Sequence, residues 1–162
     1  LLLQKEVAER ITAGPGEMSL LSVATQFYAD PEIISFVGRE NFYPRPEVDS
    51  AIIRLKVLPK PRFEVDPARD RPAKGAASAA TGRLISNGVD EKKFFQLVKI
   101  GFANKRKQLH NNLANMPLKE GMGGVDYKKI LQEIGLNPLV RAQDLSLEDW
   151  NKLYSVLSPS KR

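Results

Sequence analysis

The sequence predicts an α+β fold: helices around a short antiparallel strand pair, followed by an all-helical unit. Three observations predict it. Apolar residues recur every three to four positions near both ends of the chain. One run, Val48 to Leu58, alternates apolar and polar residues with period two. Between these regions, Pro67 to Gly88 is rich in Ala, Gly, Ser and charge and shows no sustained period, as expected of a linker or insertion. The expected organisation is residues 1–60 as an α/β portion, 61–88 as the linker and 89–162 as the helical unit.

Leu1 to Ile11 reads as the end of a buried strand passing into a helix, with Val7, Ala8 and Ile11 on one face. Gly14-Pro15-Gly16 stops that helix, and Ser19 is placed to cap the next, where Leu20, Val23, Ala24 and Phe27 form a core face. Asp30-Pro31 ends it. Extended runs follow at Glu32 to Val37 and Val48 to Leu58, the second placing Ile53, Leu55 and Val57 on one face and Arg54 and Lys56 on the other. They are expected to pair at a sheet edge.

Beyond Val89, Asp90 is expected to cap a helix carrying Phe94, Phe95, Leu97, Val98 and Phe102. Continuing that helix would drop Lys105 onto its apolar face, so a break is expected near Ala103 to Lys105, with Leu109 and Leu113 on a second helix. Gly121 to Gly124 is a loop without an assigned ligand. Tyr127 to Ile134 and Ser146 to Leu157 are the last helices, Ser146 and Asp149 forming something close to a capping box and Trp150 facing the core with Leu147, Leu153 and Tyr154.

Composition narrows the chemistry. With no Cys and one His, thiolate chemistry is excluded, and neither a His-rich zinc site nor a Ser-His-Asp triad is expected. No stretch reaches the roughly 20 apolar residues of a membrane-spanning helix. Cytoplasmic residence and a monomeric state are the expectations, and the start inside an apolar run without Met suggests an interior point of a longer protein. The net charge is +6, and from Lys92 through Lys119 there are seven Lys or Arg and no Asp or Glu. A local field of one sign attracts phosphate, so an RNA or DNA partner is expected there. Within it, Lys105, Arg106 and Lys107, with Lys99, Asn111 and Asn112 nearby, suit backbone docking: Arg offers a planar fork and Lys a mobile point charge. An exposed, merely solvated helix face is the plainer alternative. His110 is expected at the surface or beside a phosphate.

Four stretches carry a family resemblance: Leu3-Gln4-Lys5-Glu6-Val7 with Arg10; Leu21-Ser22-Val23 with Gln26-Phe27-Tyr28; Asn41-Phe42-Tyr43-Pro44-Arg45-Pro46-Glu47-Val48-Asp49-Ser50-Ala51; and Gly101-Phe102-Ala103-Asn104-Lys105-Arg106-Lys107-Gln108-Leu109 with Asn111-Asn112-Leu113. Gly135 to Pro138 and Arg141 to Ser146 add to them. In this order they resemble the rRNA adenine N6,N6-dimethyltransferases of the kasugamycin-resistance type. The resemblance implies the C-terminal edge of a Rossmann-like methyltransferase domain followed by a small all-α domain. It further implies S-adenosylmethionine as methyl donor and, as partner, small-subunit rRNA in the pre-30S particle, modified at two adjacent adenosines near the 3′ end. The family's glycine-rich cofactor loop, ribose-binding acidic residue and Asn-Leu-Pro-Tyr motif lie upstream of the counterpart of Leu1, so neither a catalytic nor a cofactor-binding residue is expected in this chain.

Under that resemblance Phe42, Tyr43, Pro44 and Pro46 form a target-base loop, with Phe42 beside an adenine extruded from its stack and the prolines stiffening the lip. Gln4, Lys5, Glu6 and Arg10 would lie near the mouth of the methyltransferase fold. Phe42 and the triplet 105–107 are expected to share one concave surface. The rival reading is a non-enzymatic basic helical module in which Lys105 to Leu113 enters a nucleic-acid groove, and a further one is an assembly factor that has lost activity.

Overall fold

The computed structural model describes residues 1–63, 89–114, 116 and 125–157. Among them, helices and strands follow in the order β1 (Leu2–Gln4), α1 (Lys5–Thr12), α2 (Leu20–Tyr28), β2 (Ala29–Val37), β3 (Ser50–Val57), α3 (Glu91–Gly101), α4 (Leu109–Leu113), α5 (Tyr127–Glu133) and α6 (Leu147–Leu157), with 3-10 turns at Arg39–Asn41 and Ala142–Asp144. The α+β class is as the sequence predicts.

The sheet is antiparallel with order β1-β3-β2, so the expected strand pair has a third member and β3 is central. Its inner face buries Ala51 and Ile53 against Ala8 and Ile11 of α1, which matches the period-two alternation of β3. Leu1 and Leu2 are exposed at 68% and 52%, contrary to the expectation of a buried opening strand. Strand β2 also begins earlier than the sequence suggests, running through Pro31, which pairs with Leu55. A proline fits there because β2 is an edge strand, where one missing ladder donor need not leave an acceptor empty.

The helical core is larger and gathers Phe94, Leu97 and Val98 of α3, Leu109 and Leu113 of α4, Leu131 of α5, and Trp150 and Leu153 of α6. Each fully buried Leu or Phe contributes roughly 1.5–3 kcal/mol. Helix α2 also belongs to this core through Val23 and Phe27, and Met18 joins it from the preceding loop. Phe27 meets Phe94 and Phe95 at ring separations of 5.2 and 5.1 Å. Helix α2, within residues 1–60, thus packs into the helical core. Most of the expected linker, residues 64–88, lies outside the described residues, as does the loop Gly121 to Gly124.

Local chemistry explains the helix ends. Ser19 caps α2 reciprocally with Ser22, and the Asp90 carboxylate accepts from the Lys93 backbone N–H. Ser146 and Asp149 form the capping box of α6: the Asp149 N–H donates to the Ser146 hydroxyl at 3.1 Å, and the Ser146 N–H donates to the Asp149 carboxylate at 3.2 Å. Burial raises the Asp149 pKa, but hydrogen bonds from Ser146 and Lys152 outweigh it and leave the pKa below its ordinary value. Where α2 meets α3, burial raises the pKa of the Tyr28 phenol, and its hydrogen bond to the Glu91 carboxylate raises it further.

Candidate nucleic-acid interface

The first candidate surface is the loop between β2 and β3. Arg39 staples it: its backbone N–H donates to the Asp49 carboxylate at 3.1 Å and its guanidinium donates to the Glu47 carbonyl at 3.1 Å. The Asn41 side chain donates to the Gly38 carbonyl at 3.1 Å, and the Lys5 N–H donates to the Asp49 carbonyl at 2.9 Å, which ties the loop base to the start of α1. Phe42 and Pro46 are half-buried, whereas Tyr43, Pro44 and Arg45 are exposed, and the Tyr43–Pro44 peptide is cis. Lys5, expected near a functional mouth, holds its ammonium 5.3 Å from the centroid of the Phe36 ring. Arg10 faces Glu6 at 4.0 Å across one exposed helical turn, an ordinary helix-surface pair.

The second is the junction between α3 and α4. Helix α3 ends at Gly101, which packs so tightly against Trp150 that a methyl group there would overlap the indole ring. The chain then turns through residues 102–108 and re-enters helix at Leu109, whose N–H donates to the Val140 carbonyl at 2.8 Å. The predicted break therefore occurs, and residues 103–107 are exposed. Among the described residues, Lys99, Lys105, Arg106 and Lys107 make no ion pair, while Lys93 pairs with Asp90 at 2.8 Å. Burial of these cations without counter-charge would be costly, and all four are exposed, Lys99 on α3 and Lys105, Arg106 and Lys107 on the turn.

Two expectations need correction. Asn112 is 1% exposed, and its side-chain amide donates to the carbonyls of Gly101 at 2.6 Å and Asn104 at 3.1 Å. It holds the basic turn in place from beneath and is not on the surface, whereas Asn111 is exposed. His110 is half-buried with Nδ1 3.1 Å from the Pro138 carbonyl, so it braces the junction. A polar residue in a run of Lys, Arg and Asn looks like surface in a sequence. The signal that could have reached Asn112 is its position between Leu109 and Leu113, on the buried side of a short helix.

Neither of two concave surfaces among the described residues brings the loop and the junction together. The loop closes the Val37 and Ser50 end of the hairpin, and the helical unit meets its Ala29 and Val57 end through Phe27 and Tyr28. Strand β2 has nine residues, so these ends are separated by roughly 26 Å at about 3.3 Å per residue. The larger concave surface, about 600 Å³, is lined by residues of β2 and β3 that include the ion pair of Arg54 with Glu32. A smaller one, about 170 Å³, lies between the α1–α2 loop and the start of α6. Neither contains Phe42 or any of residues 105–107.

The helical rival fares poorly. A groove-reading helix needs an exposed face, yet α4 has five residues, of which Leu109, Asn112 and Leu113 are buried. No group of three or more potential metal ligands occurs among the described residues.

The family profile for ribosomal RNA adenine dimethylase matches residues 1–66. The chain is 40% identical over 152 residues to the ribosomal RNA small subunit methyltransferase A of Rippkaea orientalis, covering 93% of this chain and 45% of that protein. Residues 1–66 belong to the ribosomal RNA adenine dimethylase family. The Bacillus cytotoxicus protein of the same description is 36% identical over 163 residues, covering 99% of this chain and 48% of the relative. The chain thus spans about half the length of the curated relatives it matches. Two solved structures share the fold. A dimethyladenosine transferase from Plasmodium falciparum superposes with a TM-score of 0.61 at 22% identity, over 94% of this chain and 54% of that one. The 23S rRNA methyltransferase ErmE gives 0.59 at 21% identity, over 96% and 52%.

Proposed function

We propose that this chain carries the target-base loop and the RNA-docking helical unit of a small-subunit rRNA adenine N6,N6-dimethyltransferase. The whole enzyme acts with S-adenosylmethionine on two adjacent adenosines near the 3′ end of that RNA, on the pre-30S particle in the cytoplasm, as a step of ribosome biogenesis. Family membership supports the reaction class. The observation that carries the docking role is the turn at residues 103–107, where Lys105, Arg106 and Lys107 stand exposed without counter-acids above the buried Asn112.

No methyl-donor site is assigned to this chain. Gly38 is the glycine among the described residues that directly follows a strand, and the Glu40 carboxylate sits over it, where a cofactor would need open backbone. The chain's own task is therefore to hold RNA. Phosphate contacts at the basic turn fix the register of the substrate, and the stiff loop borders the base to be modified, Phe42 being the residue placed nearest to it. The isolated chain is accordingly expected to bind no S-adenosylmethionine and to methylate no RNA, which calorimetric titration checks: micromolar binding would refute it. For the docking role, affinities for a small-subunit rRNA hairpin and for duplex DNA are compared at matched salt. Preference for the hairpin is expected, and equal affinities would refute it.

A further inference from the structure

The loop holds two adjacent aromatics in opposite situations. Phe42 lies in extended backbone, with φ −120° and ψ 147°, and is half-buried. Tyr43, the next residue, is 102% exposed, the highest value among the large apolar side chains. Phe42 is thus partly covered by the protein, whereas the Tyr43 ring meets only solvent.

Full exposure of a large aromatic keeps its apolar area in water, which a partner covering the ring would relieve. Its footing is rigid: Arg39 bridges the two sides of the loop through Asp49 and Glu47, and Pro44 follows Tyr43 directly. A ring held out on a stiff support loses little freedom when it is covered, which is what a stacking platform requires. The loop also holds Glu40, Glu47 and Asp49 against Arg39 and Arg45, so its charge does not favour phosphate. What it offers is a neutral π face.

We infer that Tyr43 is a second base-stacking platform, which takes the nucleobase neighbouring the target adenine while Phe42 borders the target itself. The inference rests on the RNA-docking reading above. Under it, the base loop contributes a term that depends on bases and little on salt, whereas the basic turn contributes one that depends on phosphates and strongly on salt.

The experiment uses the 162-residue chain and two fluorescently labelled RNA hairpins, one displaying two adjacent unpaired adenosines and one in which the base beside the target is abasic. Anisotropy at fixed salt gives both affinities. The unsubstituted chain is expected to bind the intact hairpin about tenfold more tightly than the abasic one. Tyr43→Ala should lose that preference and bind both like the abasic hairpin, and Tyr43→Phe, which keeps the π face, should restore it. Because nothing packs on a fully exposed ring, both variants should melt with the parent chain. A Tyr43→Ala chain that still prefers the intact hairpin overturns the inference and leaves the docking reading standing. If the unsubstituted chain binds neither hairpin, both fall.

Discussion

The base loop and the basic junction are stiffened by different means. The loop rests on a small core, Ala8, Ile11, Ala51 and Ile53, and is held in shape chiefly by hydrogen bonds among its own exposed residues. The junction rests on the large helical core, with Gly101 against Trp150 and Asn112 fastening the turn from within. A cluster of like charges needs such a firm interior beneath it, because nothing on its own surface holds it together. A loop of aromatics and prolines can be set by local backbone chemistry alone.

The contrast between the two supports should show first in stability. Trp150→Ala should cost about 3–5 kcal/mol, since a fully buried indole leaves a cavity that surrounding helices cannot fill. Ile53→Ala should fall near the low end of the roughly 2–5 kcal/mol range, because the small sheet core is close to solvent and can relax. Urea denaturation checks both, and equal losses would erase the distinction. Next, Asn112→Ala should cost about 1–3 kcal/mol by leaving the buried Gly101 carbonyl without its side-chain donor. It should also weaken RNA binding although Asn112 does not reach solvent. RNA affinity unchanged by Asn112→Ala would remove it as a support of the turn.

Smaller effects test the periphery. Gly135 ends α5 with φ +82°, a region costly to side chains, so Gly135→Ala should cost about 1–2 kcal/mol in thermal unfolding. The smallest effect concerns acid. Asp149 has a folded pKa below its ordinary 3.8, so the folded state holds that proton less tightly than the unfolded chain. Its contribution is present above pH 3.8 and is lost as pH falls through the folded value. Asp149→Asn should therefore flatten the acid limb of stability below pH 3.8 in a pH series of denaturant melts.

Features set by neighbours in sequence could be read from it: the caps at Ser19, Asp90 and Ser146, the alternation through β3, and the helix break before Leu109. These follow from backbone and side-chain chemistry within a few residues. What could not be read depends on partners far along the chain. Helix α2 joins the helical core because Phe27 meets Phe94, far along the chain, and no period reports that. Pro31 looks like a terminator until β2 proves to be an edge strand. Asn112 looks like surface until α4 is seen packed. The aromatic candidates come from the family resemblance and the cationic ones from the run of like charge, while their placement on different elements belongs to the fold.

That the exposed basic turn grips an RNA backbone is tested most directly by the slope of log affinity against log salt for a small-subunit rRNA hairpin. The slope is measured for the chain and for the combined Lys105→Glu, Arg106→Glu and Lys107→Glu variant. If all three residues neutralise phosphates, the variant should bind more weakly and its slope should flatten by about two, at roughly 0.7–0.9 for each phosphate left unneutralised. Two parallel slopes would contradict the docking role.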